Sequence, residues 1–126
     1  MAVRRARIAL FAALTVVFAG CNGSQSPKTA QGIVTLQETA ELQPLVNRYK
    51  AQAVMGFDIK GTTLALSVDA ERWSELDEGS EAALKDSVLG AWTRAWARHH
   101  PHQHATLRML VQNYYGQEIT SQSARV

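Results

Sequence analysis

The spacing of apolar residues is the feature that most limits the folds open to this chain, because it changes from a helical to an alternating period twice along the sequence. Intervals of three and four residues place apolar side chains on one face of a helix, whereas alternation places them on one face of a strand. Helical spacing occupies residues 42–53 and 84–96, and alternation occupies residues 55–68 and 107–111. The sequence therefore predicts a helix, a hairpin, a long helix and a second hairpin, arranged as a small two-layer α+β domain.

The first helical segment carries conflicting signals for where the helix begins. Thr35 and Glu38 have the spacing of a capping box, whereas Pro44 interrupts the pattern further on. Proline is compatible with the first turn of a helix that begins near Gln43, or with a kink in a helix that begins earlier. A short strand over Ile33–Leu36 is a further alternative. The apolar residues of the predicted helical face are Leu42, Leu45, Val46, Tyr49 and Ala53.

Both alternating segments predict hairpins with glycine in the turn. The first hairpin is expected to turn near Lys60 and Gly61, and the second to turn at residues 113–116 and return over Gln117–Ser121. Gly116 can take the positive φ that such a turn requires. The alternating apolar residues are Met55, Phe57, Ile59, Leu64, Leu66, Val68, Leu107, Met109 and Val111.

The long helix is predicted from a stripe of apolar residues at intervals of four, Leu84, Val88, Trp92 and Trp96. Ser74 is a candidate N-cap, and the adjacent carboxylates of Asp77 and Glu78 favour a helix start. The helix should end near Arg98, because Pro101 disfavours helical geometry in the residue before it. We expect the two tryptophans of the stripe, and Trp73, to pack in the core; the alternative is that they line a ligand groove.

The first 21 residues have the composition of a bacterial secretion signal. Three arginines precede an apolar run over Ile8–Phe18, which is followed by Ala19, Gly20 and Cys21. This order is typical of a secretory leader, and the segment resembles the lipobox of bacterial lipoproteins, with Phe18 where an aliphatic residue is more usual. The resemblance implies that Cys21 carries the lipid. The apolar stretch is shorter than the roughly 20 residues of a membrane-spanning helix, although an uncleaved anchor and a soluble secreted form remain alternatives.

The lipoprotein resemblance implies a domain organisation and a location. Residues 1–20 would be the signal peptide, residues 21–32 a flexible lipidated tether without large apolar side chains, and residues 33–126 a single small domain. The expected location is the bacterial cell membrane, through the N-terminal lipid. Asn22, rather than aspartate, follows the cysteine, which favours the outer membrane facing the periplasm if the host is Gram-negative. A loose resemblance to small uncharacterised domains of bacterial envelope proteins covers roughly Leu64–Ile119 and implies no reaction.

Charge and motifs narrow the classes of function. Three of the 13 basic residues and none of the 11 acidic residues lie in the leader, so the mature chain has 10 basic and 11 acidic side chains and a net charge of −1. A nucleic-acid partner is therefore not expected. Cys21 is the only cysteine, so no disulfide is expected. The motifs of nucleophile elbows, phosphate loops and zinc proteases are missing from the sequence, and we expect neither an enzyme nor a cofactor.

Four histidines lie within six positions and form the first candidate site. If residues 99–104 were extended, His100, His102 and His104 would point to one side and could converge on zinc, copper or nickel. The alternative is a polar loop between helix and strand. Metal is not the expected partner, because no cysteine or carboxylate nearby in the sequence completes a ligand set.

Exposed aromatic and basic residues form the other candidates. Tyr114 and Tyr115 lie in the predicted second turn, where aromatic side chains can anchor a partner. Arg94, Arg98 and Arg108 could meet lipid phosphates or an acidic partner, or form a solvated face. The sequence thus predicts a membrane-anchored cell-envelope lipoprotein with a non-catalytic interaction or structural domain. The alternative is a periplasmic lipoprotein that binds a metal or small ligand through residues 99–104.

Overall fold

The computed structural model of the chain describes residues 27–126, with side chains from residue 30. Residues 1–26, which include the predicted signal peptide and Cys21, lie outside the described residues. Val34–Val126 form one compact unit, which contains the whole sheet and most of the helical residues. Within the described part, no helix combines the length and apolar character needed to cross a bilayer.

The predicted α+β class and element order are confirmed. Four strands form one sheet in the order β1-β2-β3-β4. The two hairpins are antiparallel, and β2 pairs with β3 in parallel, so the helical segment between them makes the crossover. The elements are α1 (Pro27–Tyr49), β1 (Val54–Lys60), β2 (Thr63–Val68), α2 (Ala70–Ser74), α3 (Glu78–His99), β3 (Thr106–Gln112) and β4 (Glu118–Arg125).

One face of the sheet carries the core. Alternate residues of the central strands are fully buried, as a strand with one covered face requires. They pack with apolar residues of α1 and α3 in one continuous cluster. Trp92 is fully buried and Trp73 and Trp96 are 4% exposed, so the prediction that the tryptophans pack in the core is confirmed. The buried residues of the two central strands are Leu64, Leu66, Val68, Leu107, Met109 and Val111.

Helix α1 begins earlier than the sequence predicts. Residues 27–32 are helical, although the sequence predicts a flexible tether there, and the alternative strand over Ile33–Leu36 is also helical. Extending an existing helix costs far less than nucleating one, so residues without large apolar side chains can continue it. The helix also continues through Pro44. Proline removes a hydrogen bond to Ala40, and both residues are exposed, where water can satisfy the carbonyl.

Two predicted caps are wrong. Thr35 and Glu38 lie inside α1 and not at its start; the Glu38 carboxyl is instead buried against α3. Ser74 is the last residue of α2, and its hydroxyl donates to the carbonyl of Glu71 at 2.6 Å. Asp77 caps α3, because its Oδ1 accepts from the Ser80 amide at 2.6 Å. Capping requires an extended residue with a free acceptor immediately before the first turn, and Asp77 fulfils both conditions.

Candidate functional site

The β3–β4 turn is organised by hydrogen bonds that involve Asn113. Asn113 Oδ1 accepts from the amides of Tyr115 and Gln117 at 3.0 and 2.9 Å, and its Nδ2 donates to the side chain of Gln117 at 2.9 Å. Its carbonyl accepts from the Gly116 amide at 3.0 Å. Gly116 has φ 81°, which glycine adopts without strain. One asparagine therefore fixes the whole turn, as asparagine commonly does through its side-chain oxygen.

This turn holds two tyrosines in solvent. Tyr114 is 75% exposed and Tyr115 is 84% exposed, the highest values among the exposed large hydrophobic residues. Their rings meet edge to face with centroids 5.5 Å apart, a favourable aromatic geometry. The predicted site residues are therefore together and accessible. No backbone ordering would be needed when a partner binds, so the usual entropic cost of fixing a loop is reduced.

The two tyrosines form one wall of an open cleft of about 390 Å³. The cleft lies beyond the carboxyl ends of the parallel strands β2 and β3, where ligands commonly bind in α/β sheets. Met55, which is 48% exposed, supplies a flexible apolar side chain of the kind found at binding surfaces. We call this the tyrosine cleft; its lining residues are Met55, Val68, Asp69, Ala70, Glu71, Asn113, Tyr114 and Tyr115.

The charge of the tyrosine cleft is negative. Asp69 and Glu71 are exposed and line it, and no lysine, arginine or histidine is among its lining residues in the described chain. Asp69 Oδ1 accepts from the Arg72 amide at 3.1 Å, which fixes this carboxylate at the start of α2. Arg72 is not among the lining residues of the cleft. Its Nη2 instead donates to the carbonyl of Ala51 at 2.7 Å. A second cleft, of about 370 Å³, is lined by residues including His104 and Arg125, and its lining residues include no tyrosine, tryptophan or phenylalanine.

A second polar cluster lies between α1 and α3. Glu38 is 2% exposed and is the one buried charged or polar residue of the described chain. Its Oε2 accepts from the Trp92 indole Nε1 at 3.4 Å, and its Oε1 lies 3.5 Å from His100 Nδ1. His100 stacks on Trp96 with centroids 4.2 Å apart. Burial raises the pKa of Glu38, and the indole hydrogen bond and the nearby His100 partly offset that effect.

Glu41, one turn further along α1, has the opposite electrostatics. Its carboxylate accepts from Arg98 and lies 2.9 Å from His99 Nε2. The hydrogen bonds from Arg98 and His99 lower the pKa of Glu41. Because the cluster joins residues far apart in sequence, we interpret it as the polar part of the α1–α3 contact. It leaves no buried side-chain nitrogen or oxygen without a partner in the described chain.

The structure does not bring the predicted metal ligands together. His100 is the C-cap residue after α3 and stacks on Trp96, His102 has φ 64° in a turn, and His104 Nδ1 lies 3.2 Å from the Val126 carbonyl. The premise of an extended segment, with alternate imidazoles on one side, is therefore wrong. Across residues 27–126, no three histidine, cysteine or acidic side chains are placed to hold a metal.

The predicted basic set is dispersed among ion pairs. Arg98 pairs with Glu41 and Arg108 pairs with Glu118, whereas Arg94 is exposed on α3. Sequence reasoning missed Glu38 as a buried carboxyl and Met55 as part of the tyrosine cleft. The position of Glu38, one helical turn before the buried Leu42, is the signal that could have identified it. The alternating pattern places Met55 on the apolar face of its strand, and the bulge between Val54 and Gly56 changes that register.

Comparisons of the chain with models of protein families, with curated proteins and with solved structures found no match.

Proposed function

We propose that this chain is a membrane-anchored lipoprotein of the bacterial cell envelope, tethered through Cys21, whose domain binds a partner protein through the tyrosine cleft and has no catalytic role. The anchor rests on the resemblance of residues 1–21 to a lipoprotein signal. The binding role rests on the geometry of the second hairpin.

One observation carries the binding role: Tyr114 and Tyr115 are 75% and 84% exposed on a turn held by five hydrogen bonds that involve Asn113. Exposing two aromatic rings forgoes the stabilisation that their burial would give, about 25 cal/mol for each Å² of apolar surface. Tyrosine is also enriched among residues that dominate binding energy at interfaces. A rigid turn that keeps both rings in water is therefore better suited to binding than to stabilising the domain.

The test compares partner capture by matched variants. The intact lipoprotein, carrying an affinity tag, is purified from membranes after chemical crosslinking, and proteins that accompany it are quantified by mass spectrometry. We expect a specific partner to be lost with the double substitution Tyr114→Ala and Tyr115→Ala. Ile119→Ala is the control, because Ile119 is an exposed apolar residue, at 40%, that does not line the cleft. Equal capture by the double variant and the wild type would contradict the proposal.

A further inference from the structure

We propose that the tyrosine cleft binds a lysine or arginine side chain on an exposed segment of the partner. This inference rests on the proposed function and adds the chemistry of the ligand. Its basis is that one open cleft combines two exposed aromatic rings with the carboxylates of Asp69 and Glu71.

The two carboxylates favour a ligand of positive charge. Among the side chains of residues 30–126, neither Asp69 nor Glu71 has an ion-pair partner, and no basic residue lines the cleft beside them. An anionic ligand would be repelled by both groups. A purely apolar ligand would remove water from Glu71 without replacing it, and burying an unpaired charge is costly. A cationic group replaces that hydration with a charge-assisted hydrogen bond.

The aromatic and apolar lining accounts for the rest of a basic side chain. A cation over the face of a tyrosine ring is attracted by the negative charge of that face. The aliphatic stem of lysine or arginine packs readily on apolar surface while its charged group stays near water, and the exposed residues Met55 and Ala70 supply such surface in the cleft. Aromatic, acidic and apolar parts of the cleft thus each match one part of the same ligand.

The test uses fluorescein-labelled peptides of identical length in which glycine alternates with lysine, norleucine or glutamate. Binding to the full-length lipoprotein in mild detergent is followed by fluorescence anisotropy. We expect the lysine peptide to bind roughly fivefold more tightly than the norleucine peptide, the factor that corresponds to about 1 kcal/mol from a favourable charge contact. Binding of the glutamate peptide should be undetectable, and added salt should weaken binding of the lysine peptide because exposed charges are screened.

Matched variants assign the effect to the cleft. Glu71→Gln should reduce binding of the lysine peptide several-fold, whereas Glu75→Gln should not, because Glu75 lies on the same short segment but outside the lining. Tyr115→Ala should reduce binding by about two- to fivefold, the range for one exposed cation–π contact, and Ile119→Ala should leave it unchanged. Equal effects of the two glutamate substitutions, or equal binding of lysine and norleucine peptides, would overturn the inference.

The inference can fail separately from the proposed function. If capture of the natural partner is lost with the tyrosine double variant but is unaffected by Glu71→Gln, the partner binds the cleft through other chemistry and the cationic ligand is wrong. If the tyrosine double variant also captures the partner normally, the proposed function itself is wrong.

Discussion

Replacement of Trp92 tests the packing of the two helices on the sheet. Trp92 is the largest of the fully buried side chains. Its truncation to alanine should cost about 3 to 5 kcal/mol for lost contacts and the remaining cavity. It also removes the indole N–H that donates to the buried Glu38 carboxyl.

The hydrogen bond adds a smaller amount. A buried acceptor that loses its donor costs about 1 to 3 kcal/mol, and the 3.4 Å separation of Nε1 and Oε2 places this bond at the weak end, because well-formed bonds are shorter. We therefore expect Trp92→Ala to lower the free energy of unfolding by about 4 to 6 kcal/mol. A small domain has only about 5 to 15 kcal/mol in total, so the variant should lose a large share of its stability.

Thermal unfolding of the chain from Pro27 onward, followed by circular dichroism, measures this effect. At about 4 °C or more for each kcal/mol in a domain of this size, Tm should fall by about 16 °C or more. Tyr114→Ala is the control, because an exposed side chain should change stability by no more than about 0.5 kcal/mol. A Tm of Trp92→Ala equal to that of the control would refute the packing of α1 and α3 described here.

Three further predictions concern the fold at single sites, and a fourth concerns the anchor. Burial raises the pKa of Glu38, so the contribution of Glu38 to stability is lost as the pH rises through that raised pKa. In urea denaturation, Glu38→Gln should be more stable than the wild type near pH 7 but not near pH 4. The pKa of Glu41 is lowered mainly by Arg98, so the contribution of Glu41 to stability is present above the ordinary glutamate range and is lost as the pH falls. Glu41→Gln should therefore be less stable than the wild type near pH 7, by less than about 1 kcal/mol because the pair is partly solvated. Stability changes of the same sign in the Glu38 and Glu41 variants would contradict this assignment. Gly116 has positive φ, and a Cβ added there would meet no atom within 4 Å, so Gly116→Ala should cost about 1 to 2 kcal/mol through backbone strain alone; an unchanged Tm would show that the turn relaxes freely. Cys21→Ala should leave an unprocessed precursor that incorporates no labelled fatty acid, whereas a wild-type protein without lipid by mass spectrometry would contradict the lipoprotein assignment.

The elements of the fold were predictable because their signals are local. The alternation around Leu64 and Leu107 and the four-residue stripe through Trp92 each reflect one buried face. The parallel pairing of β2 with β3 was not predicted. Strand order depends on how the crossover packs, and the alternation of apolar residues within each strand carries no information about it. The start of α1 was misplaced, because residues of moderate helix propensity can be recruited once a helix exists.

The candidate site was predictable only in part. A turn rich in aromatic residues pointed to Tyr114 and Tyr115, and the structure keeps both exposed. Their acidic neighbours Asp69 and Glu71 are more than 40 residues away in sequence, and only the parallel pairing of the central strands brings the two ends together. The prediction of a metal site in the histidine segment was wrong for the converse reason. These histidines are close in sequence, which suggested that they share a face, but the turn at His102 separates the imidazoles that an extended chain would align.

Site-specific photo-crosslinking in the native host shows whether a partner binds at the tyrosine cleft, because it reports which surface of the intact protein touches a partner. A photoreactive amino acid is placed in turn at Tyr115, Met55, Leu36 and Ala83, which are all exposed. The first two line the tyrosine cleft, and the other two lie on the helices α1 and α3. We expect the same crosslinked partner from Tyr115 and Met55 and none from Leu36 or Ala83. A partner crosslinked only from the helix positions, or equally from all four, would contradict this expectation.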